Sequence, residues 1–185
     1  HKNMSFERYQ HYDSLEFELK NECWGKFRED VSTNTLFLND DTPPCAQGNV
    51  PDPEIKPNTD FISEEKAHAG SSILALDYNG SGVKDLIIGD VAFTNLNLLL
   101  NGGSEVNANS PMISIDGSFP SNSIPVNSQL FPAAFFIDVD FDNVKDLIVA
   151  PNAKNVSENE TSVMKYKNTG TNFDCNFIYE TKAFL

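Results

Sequence analysis

Asp138-Val139-Asp140-Phe141-Asp142-Asn143-Val144-Lys145-Asp146 places four carboxylates at the first, third, fifth and ninth positions of a short segment. Apolar runs flank it: Ala133-Ala134-Phe135-Phe136-Ile137 before and Leu147-Ile148-Val149-Ala150 after. Both runs are too short for stable helices and rich in aromatic or β-branched residues, so they predict buried strands. Like charges held this close between two strands repel one another unless a cation sits among them. Oxygen ligands at alternating positions suit Ca2+, which takes roughly six to eight of them at about 2.3–2.6 Å.

The pattern occurs twice. Asp77-Tyr78-Asn79-Gly80-Ser81-Gly82-Val83-Lys84-Asp85-Leu86 matches it position for position at an offset of 61 residues (138 − 77). Asp77, Asn79, Ser81 and Asp85 fall on Asp138, Asp140, Asp142 and Asp146, and Val-Lys-Asp-Leu is identical in both. The sixth position is Gly82 or Asn143, the residue types that most readily turn left-handed. Leu98-Leu99-Leu100-Asn101-Gly102-Gly103 corresponds further on to Lys165-Tyr166-Lys167-Asn168-Thr169-Gly170. Three matched segments in one order predict a repeat of about 60 residues, the mark of a propeller, solenoid or array.

The strands that must position these loops follow from alternation and turn residues. The first unit predicts strands at 72–76, 85–89, 96–100 and 112–115. The second predicts 133–137, 146–150, 162–167 and 175–179. Four strands per unit with tight turns is the make-up of a propeller blade. Upstream, 15–20 alternates apolar and charged residues as a half-buried strand does, and 35–38 is a further short strand. Residues 1–14 carry no period and read as an extended or poorly ordered lead-in. Five prolines between 39 and 60 mark an irregular segment, a surface excursion or a linker, with the excursion preferred because it returns directly to the first repeat. The expected organisation is therefore an N-terminal region (1–69) that is part of the same architecture, a first unit (70–130) and a second (131–185). The fold class is all-β: four-stranded antiparallel blades, about two to two and a half of them, where closed propellers have roughly four to eight.

Composition narrows the function. A net charge of −14 argues against nucleic acid and anionic membranes as partners. No run approaches the roughly 20 apolar residues of a membrane-spanning helix. The chain begins at His1 and reads as a mature or trimmed piece. Cys23 and Cys45 are read as a disulfide closing a loop of 22 residues (45 − 23). Cys175 is then left over, free or paired outside the chain, and Trp24 is expected in the core beneath the bridge. A disulfide and weak calcium loops agree on an extracellular setting. His68 is read as a packed or hydrogen-bonded residue. No nucleophile motif, phosphate loop, zinc pattern or Cys-x-x-Cys occurs, so the chain is read as a non-enzyme. The twelfth loop positions, Ile88 and Val149, fall in predicted strands, which excludes an EF-hand.

Apolar strand, Asp-x-Asp/Asn-x-Asp/Ser-Gly/Asn-x-x-Asp-Leu, apolar strand, then an Asn-Thr-Gly-like turn resembles the FG-GAP/VCBS repeats, which also build the calcium-bearing blades of integrin α-subunit propellers. The resemblance covers about residues 70–185. Cys23-Trp24-Gly25-Lys26-Phe27, His68-Ala69-Gly70-Ser71 and Phe131-Pro132-Ala133-Ala134 are similar to large secreted propeller proteins of gliding and related Bacteroidetes. Those are commonly exported by type IX secretion. The resemblance implies two structural Ca2+ sites. The first would use Asp77, Asn79, Ser81, the Val83 carbonyl and Asp85; the second Asp138, Asp140, Asp142, the Val144 carbonyl and Asp146. More ligand charge generally tightens binding, so the second loop is expected to fill first. The implied function is a secreted or cell-surface binding or adhesion module for a protein or glycan, with the remaining blades in a larger assembly. Two alternatives stand beside it: the propeller portion of a polysaccharide-degrading enzyme, and a structural secreted cargo without a ligand of its own.

Overall fold

Short apolar runs broken by Asn, Asp and Gly leave the backbone one economical way to satisfy its hydrogen bonds, the antiparallel meander. A computed structural model describes residues 5–11, 14–21, 24–30, 33–38, 70–105 and 110–185, and they are all-β apart from one turn of 3-10 helix at Asn159–Thr161. Strands β1 (Ser5–His11) and β2 (Ser14–Asn21) form a hairpin, as do β3 (Phe27–Asp30) and β4 (Thr35–Leu38). Strands β5 (Ser71–Leu76), β6 (Asp85–Asp90), β7 (Leu96–Asn101) and β8 (Met112–Asp116) make one four-stranded sheet in sequence order. Strands β9 (Pro132–Ile137), β10 (Asp146–Pro151), β11 (Met164–Asn168) and β12 (Phe177–Thr181) make the second. All pairings are antiparallel. Among the described residues no helix is long and apolar enough to cross a membrane.

Three differences from the sequence reading have local causes. The lead-in contains a full strand, β1, because β2 supplies it with a hydrogen-bonded partner that a periodicity search within one segment cannot see. Strand β3 carries one buried apolar residue, Phe27, and is defined by its pairing with β4. The last two strands begin two residues later than expected. Ser162 is taken by the preceding turn, where its Oγ accepts from Glu158 N. Cys175 is taken by a loop contact, where its N–H donates to Tyr78 O at 2.8 Å.

Side-chain alternation explains how the sheets stack. In β6 and β7, Leu86, Ile88 and Leu99 face the β3–β4 hairpin and pack with Phe27, Met112, Trp24, Leu36 and Leu38. Ile87, Leu96 and Leu98 face the other way, onto Leu147, Val149, Tyr166 and Phe177 of the second sheet. The first sheet is thus covered on both sides, which is why every residue of β6 is buried. Among the described residues, the second sheet is covered on one. Phe135, Ile137 and Ile178 on its outer face are 46%, 50% and 38% exposed.

The sheets come closest where β6 meets the start of β9. Ser72 Oγ donates to Pro132 O at 2.6 Å. A Cβ on Gly89 would lie 2.1 Å from that same carbonyl oxygen. Gly89→Ala is therefore expected to force the sheets apart and cost about 1–3 kcal/mol, as overpacking does. The matching position of the second unit already carries Ala150, which has no third sheet against it among the described residues. Urea melts of Gly89→Ala and Ala150→Ser check this; equal small losses would contradict the close approach.

Candidate metal centre

Both acidic loops join the first two strands of their sheets, β5 to β6 and β9 to β10. Each needs left-handed residues at its fourth and sixth positions. These are Gly80 (φ 73°) and Gly82 (φ 84°) in the first loop, and Phe141 (φ 64°) and Asn143 (φ 71°) in the second. The sixth position was legible in the sequence. The fourth was not, because Phe141 is a residue type that rarely takes this conformation.

The leading aspartate organises each turn. Asp77 accepts Ser81 N at 3.0 Å and Gly82 N at 2.9 Å. Asp138 accepts Phe141 N at 2.8 Å and Asn143 N at 3.0 Å. The ninth-position aspartate ties the loop to the third strand. Asp85 accepts Asn101 N at 2.8 Å, and Asp146 accepts Asn168 N at 2.9 Å. Asn101 and Asn168 return a side-chain N–H to Lys84 O and Lys145 O, each at 3.1 Å. The same asparagines close the next turn by accepting Gly103 N and Gly170 N. The two sheets therefore tie their loops to the third strand with the same bonds. The leading aspartates share the bond to the sixth residue, while taking the other from the fifth residue in the first loop and the fourth in the second.

The loops then diverge. In the first, Asp77 and Asp85 are buried while Asn79 and Ser81 sit exposed at the rim. Ser81 N is shared between Asp77 Oδ1 at 3.0 Å and Asn79 Oδ1 at 3.1 Å, so these two oxygens converge. Asp85 accepts a second backbone N–H, from Tyr78 at 2.8 Å. Burial still holds its carboxyl above the ordinary carboxylate range. No lysine or arginine among the described residues pairs with Asp77 or Asp85.

In the second loop, carboxylate oxygens of Asp138, Asp140 and Asp142 all lie within 4.8 Å of one another. Asp146, linked to Asp140 by Lys165 and Lys167, stands outside that group with no exposed surface. Its Oδ2 has no hydrogen-bond partner. Burial raises its pKa against the lowering pull of Lys167 and Lys165. Both lysines project from β11 toward the cluster. Lys167 Nζ bonds Asp140 Oδ2 and lies 2.6 Å from Asp142 Oδ2. That hydrogen bond holds Asp142 below the usual carboxylate range. Lys165 Nζ lies 3.7 Å from Asp146 Oδ2 and 2.8 Å from Glu180 Oε2. Sequence reasoning passed over these two residues. The signal was present: they replace Leu98 and Leu100 of the first unit.

The donor sets fit a hard divalent cation. They offer oxygen only, and the second carries a fully buried acceptor, Asp146 Oδ2, that has no hydrogen bond and only the Lys165 ammonium 3.7 Å away. Asp77, Asn79, Ser81 and Asp85 would hold one ion; Asp138, Asp140, Asp142 and Asp146 the other. Val83 has its side chain buried and its N–H on Ser81 Oγ at 3.4 Å, while Val144 donates to Asp142 Oδ1 at 2.8 Å. Their carbonyls as ligands remain part of the proposal below. Ile88 and Val149 lie buried within β6 and β10, as the exclusion of an EF-hand requires.

Cys23, Cys45 and His68 lie outside the described residues, so the disulfide does too. Trp24 is half-buried against the core formed with the β3–β4 hairpin. Cys175 is a free, buried thiol, pushed up to about 12 by burial. At pH 8 its thiolate fraction is then only about one in ten thousand. Alkylation followed by peptide mapping should leave Cys175 unmodified until the protein unfolds; rapid native labelling would contradict its burial.

No protein-family model, curated protein or solved structure matches the chain.

Proposed function

We propose that the chain is a secreted or cell-surface β-propeller module of the FG-GAP/VCBS kind, stabilised by two Ca2+ ions and binding a protein or glycan. The observation that carries the calcium reading is the second loop's cluster: carboxylate oxygens of Asp138, Asp140 and Asp142 within 4.8 Å of one another, with Asp146, the fourth carboxylate of the loop, fully buried and one of its oxygens without a hydrogen bond. Calcium, when bound, supplies positive charge to Asp77 and Asp85, which pair with no lysine or arginine among the described residues, adds to that of Lys165 at the second loop, and fixes the turn between the first two strands of each blade. The role is structural, with no catalytic step. The Val83 and Val144 carbonyls complete the two ligand sets.

The stacking supports the blade reading. Leu86, Ile88 and Leu99 of the first sheet correspond by sequence to Leu147, Val149 and Tyr166 of the second. The first set faces the β3–β4 hairpin and the second faces the first sheet. Each unit thus turns the same face to the one before it, the head-to-tail relation that generates a ring or array. The outer face of the second sheet, with Phe135, Ile137 and Ile178, is the place for a further blade of a larger assembly. The connections from β8 to β9 (117–131) and from β10 to β11 (152–163) would form the ligand face.

Glycan and protein arrays probed with the chain, in calcium and in chelator, test the binding reading. Retention on a defined class in calcium, lost in chelator, is the expected result. Released reducing or unsaturated ends from a polysaccharide panel would instead establish the enzyme alternative.

A further inference from the structure

The two loops differ in charge, and the strand behind them differs to match. Where the first unit has Asn79 and Ser81, the second has Asp140 and Asp142; where the first has Leu98 and Leu100, the second has Lys165 and Lys167. Two added negative charges are met by two added positive ones. The lysines divide the work. Lys165 is drawn aside by Glu180 at 2.8 Å and lies 4.0 Å from Asp140 Oδ2. Lys167 is committed to the loop: its ammonium sits between Asp140 and Asp142 and lies 3.9 Å from Asp146 Oδ1.

We infer that Lys167 is a resident cation that competes with calcium for the second loop. The inference rests on the calcium reading above and deepens it. An ammonium bonded to Asp140 and Asp142 occupies two of the four carboxylates that a metal ion would use. It does not finish the task. Asp146 Oδ2 is fully buried and has no hydrogen-bond partner. The nearer ammonium, Lys165 Nζ, stands 3.7 Å away, beyond hydrogen-bonding range. A small divalent ion can take the place of the ammonium between Asp140 and Asp142, beside Asp146 Oδ1, once Lys167 Nζ swings out toward solvent on its flexible stem, where the side chain is already partly exposed. Calcium entry thus releases an ammonium, and the second loop binds more weakly than its carboxylate count implies. The first loop, with no such competitor among the described residues, fills first, reversing the order expected from ligand charge alone.

Calcium titration by calorimetry tests this, with Asp77→Asn isolating the second loop and Asp138→Asn isolating the first. In the Asp77→Asn background, Lys167→Met should tighten calcium binding on the order of tenfold or more, the effect of removing a unit positive charge a few ångströms away. Lys167→Arg should leave it weak, and Lys167→Gln serves should the Met variant fail to fold. In chelator, Lys167→Met should melt below the wild type, because Asp140, Asp142 and Asp146 lose its ammonium. Second-loop affinity unchanged in Lys167→Met, or an unchanged melt in chelator, would overturn the competition. Calcium bound at the first loop alone, even in Lys167→Met, overturns the competition and leaves the calcium reading standing there. Calcium bound at neither loop in any variant overturns the calcium reading and the competition with it.

Discussion

Calcium at about 10 mM is expected to raise the melting temperature by roughly 10–20 °C over the same protein in chelator. The magnitude follows from mass action. Extracellular calcium modules bind with dissociation constants near 10⁻⁴ M or weaker. Free ion at about 100 times that constant stabilises a site by roughly 2.7 kcal/mol, so two sites give about 5 kcal/mol. Each kcal/mol moves the melt of a domain of this size by about 2–4 °C. Asp77→Asn should forfeit the larger share of this gain and Asp138→Asn the smaller, since the second loop must release Lys167 to bind. Magnesium should give much less, since it demands a tighter octahedral shell and keeps its own water. Differential scanning calorimetry in the two ions and in chelator reads all of this. Coincident melts with and without calcium would contradict it.

Phe177→Ala is expected to cost about 3–5 kcal/mol, the range for emptying a buried aromatic site. Phe177 is fully buried and belongs to the core shared by both sheets. Its ring centroid lies 6.0 Å from Tyr78, 6.1 Å from Phe119 and 6.1 Å from Phe136. The contacts to Phe119 and Phe136 are edge-to-face, which adds specificity to the burial. Tyr78 is also the second residue of the first acidic loop, so the core and that loop are joined through this ring. The contrast is Phe173→Ala. Phe173 is 65% exposed, and its loss should stay within about 0.5 kcal/mol. Denaturant melts at matched calcium separate the two; similar losses would mean the ring cluster does not hold the sheets together.

How far the sequence went is clearest in the loops and strands themselves. The eight strands of the two sheets were legible because Leu86, Ile88 and Leu99 and their counterparts Leu147, Val149 and Tyr166 are apolar at strand spacing, with Asn-Gly-like turns between. The acidic positions and the left-handed sixth residues were legible because only a few residue types tolerate those conformations. The lysines were missed because the sequence was read for what coordinates a cation, and Lys167 acts as one. Strands β1 and β3 were missed for a different reason: their existence is settled by a partner strand, and pairing is a property of two segments. The stacking direction of the sheets needed the structure, since a strand buried on both faces shows no alternation that tells one neighbour from the other.

The central claim is that a divalent ion sits in each acidic loop. Crystals grown with about 10 mM calcium and measured at a long wavelength would locate it by anomalous scattering. Two peaks are predicted. One lies among Asp77, Asn79, Ser81 and Asp85, and one among Asp138, Asp140, Asp142 and Asp146, each about 2.3–2.6 Å from its oxygens. In the second site Lys167 Nζ should have swung away. Ordered loops with no peak in either, and Lys167 still seated between Asp140 and Asp142, would contradict the account.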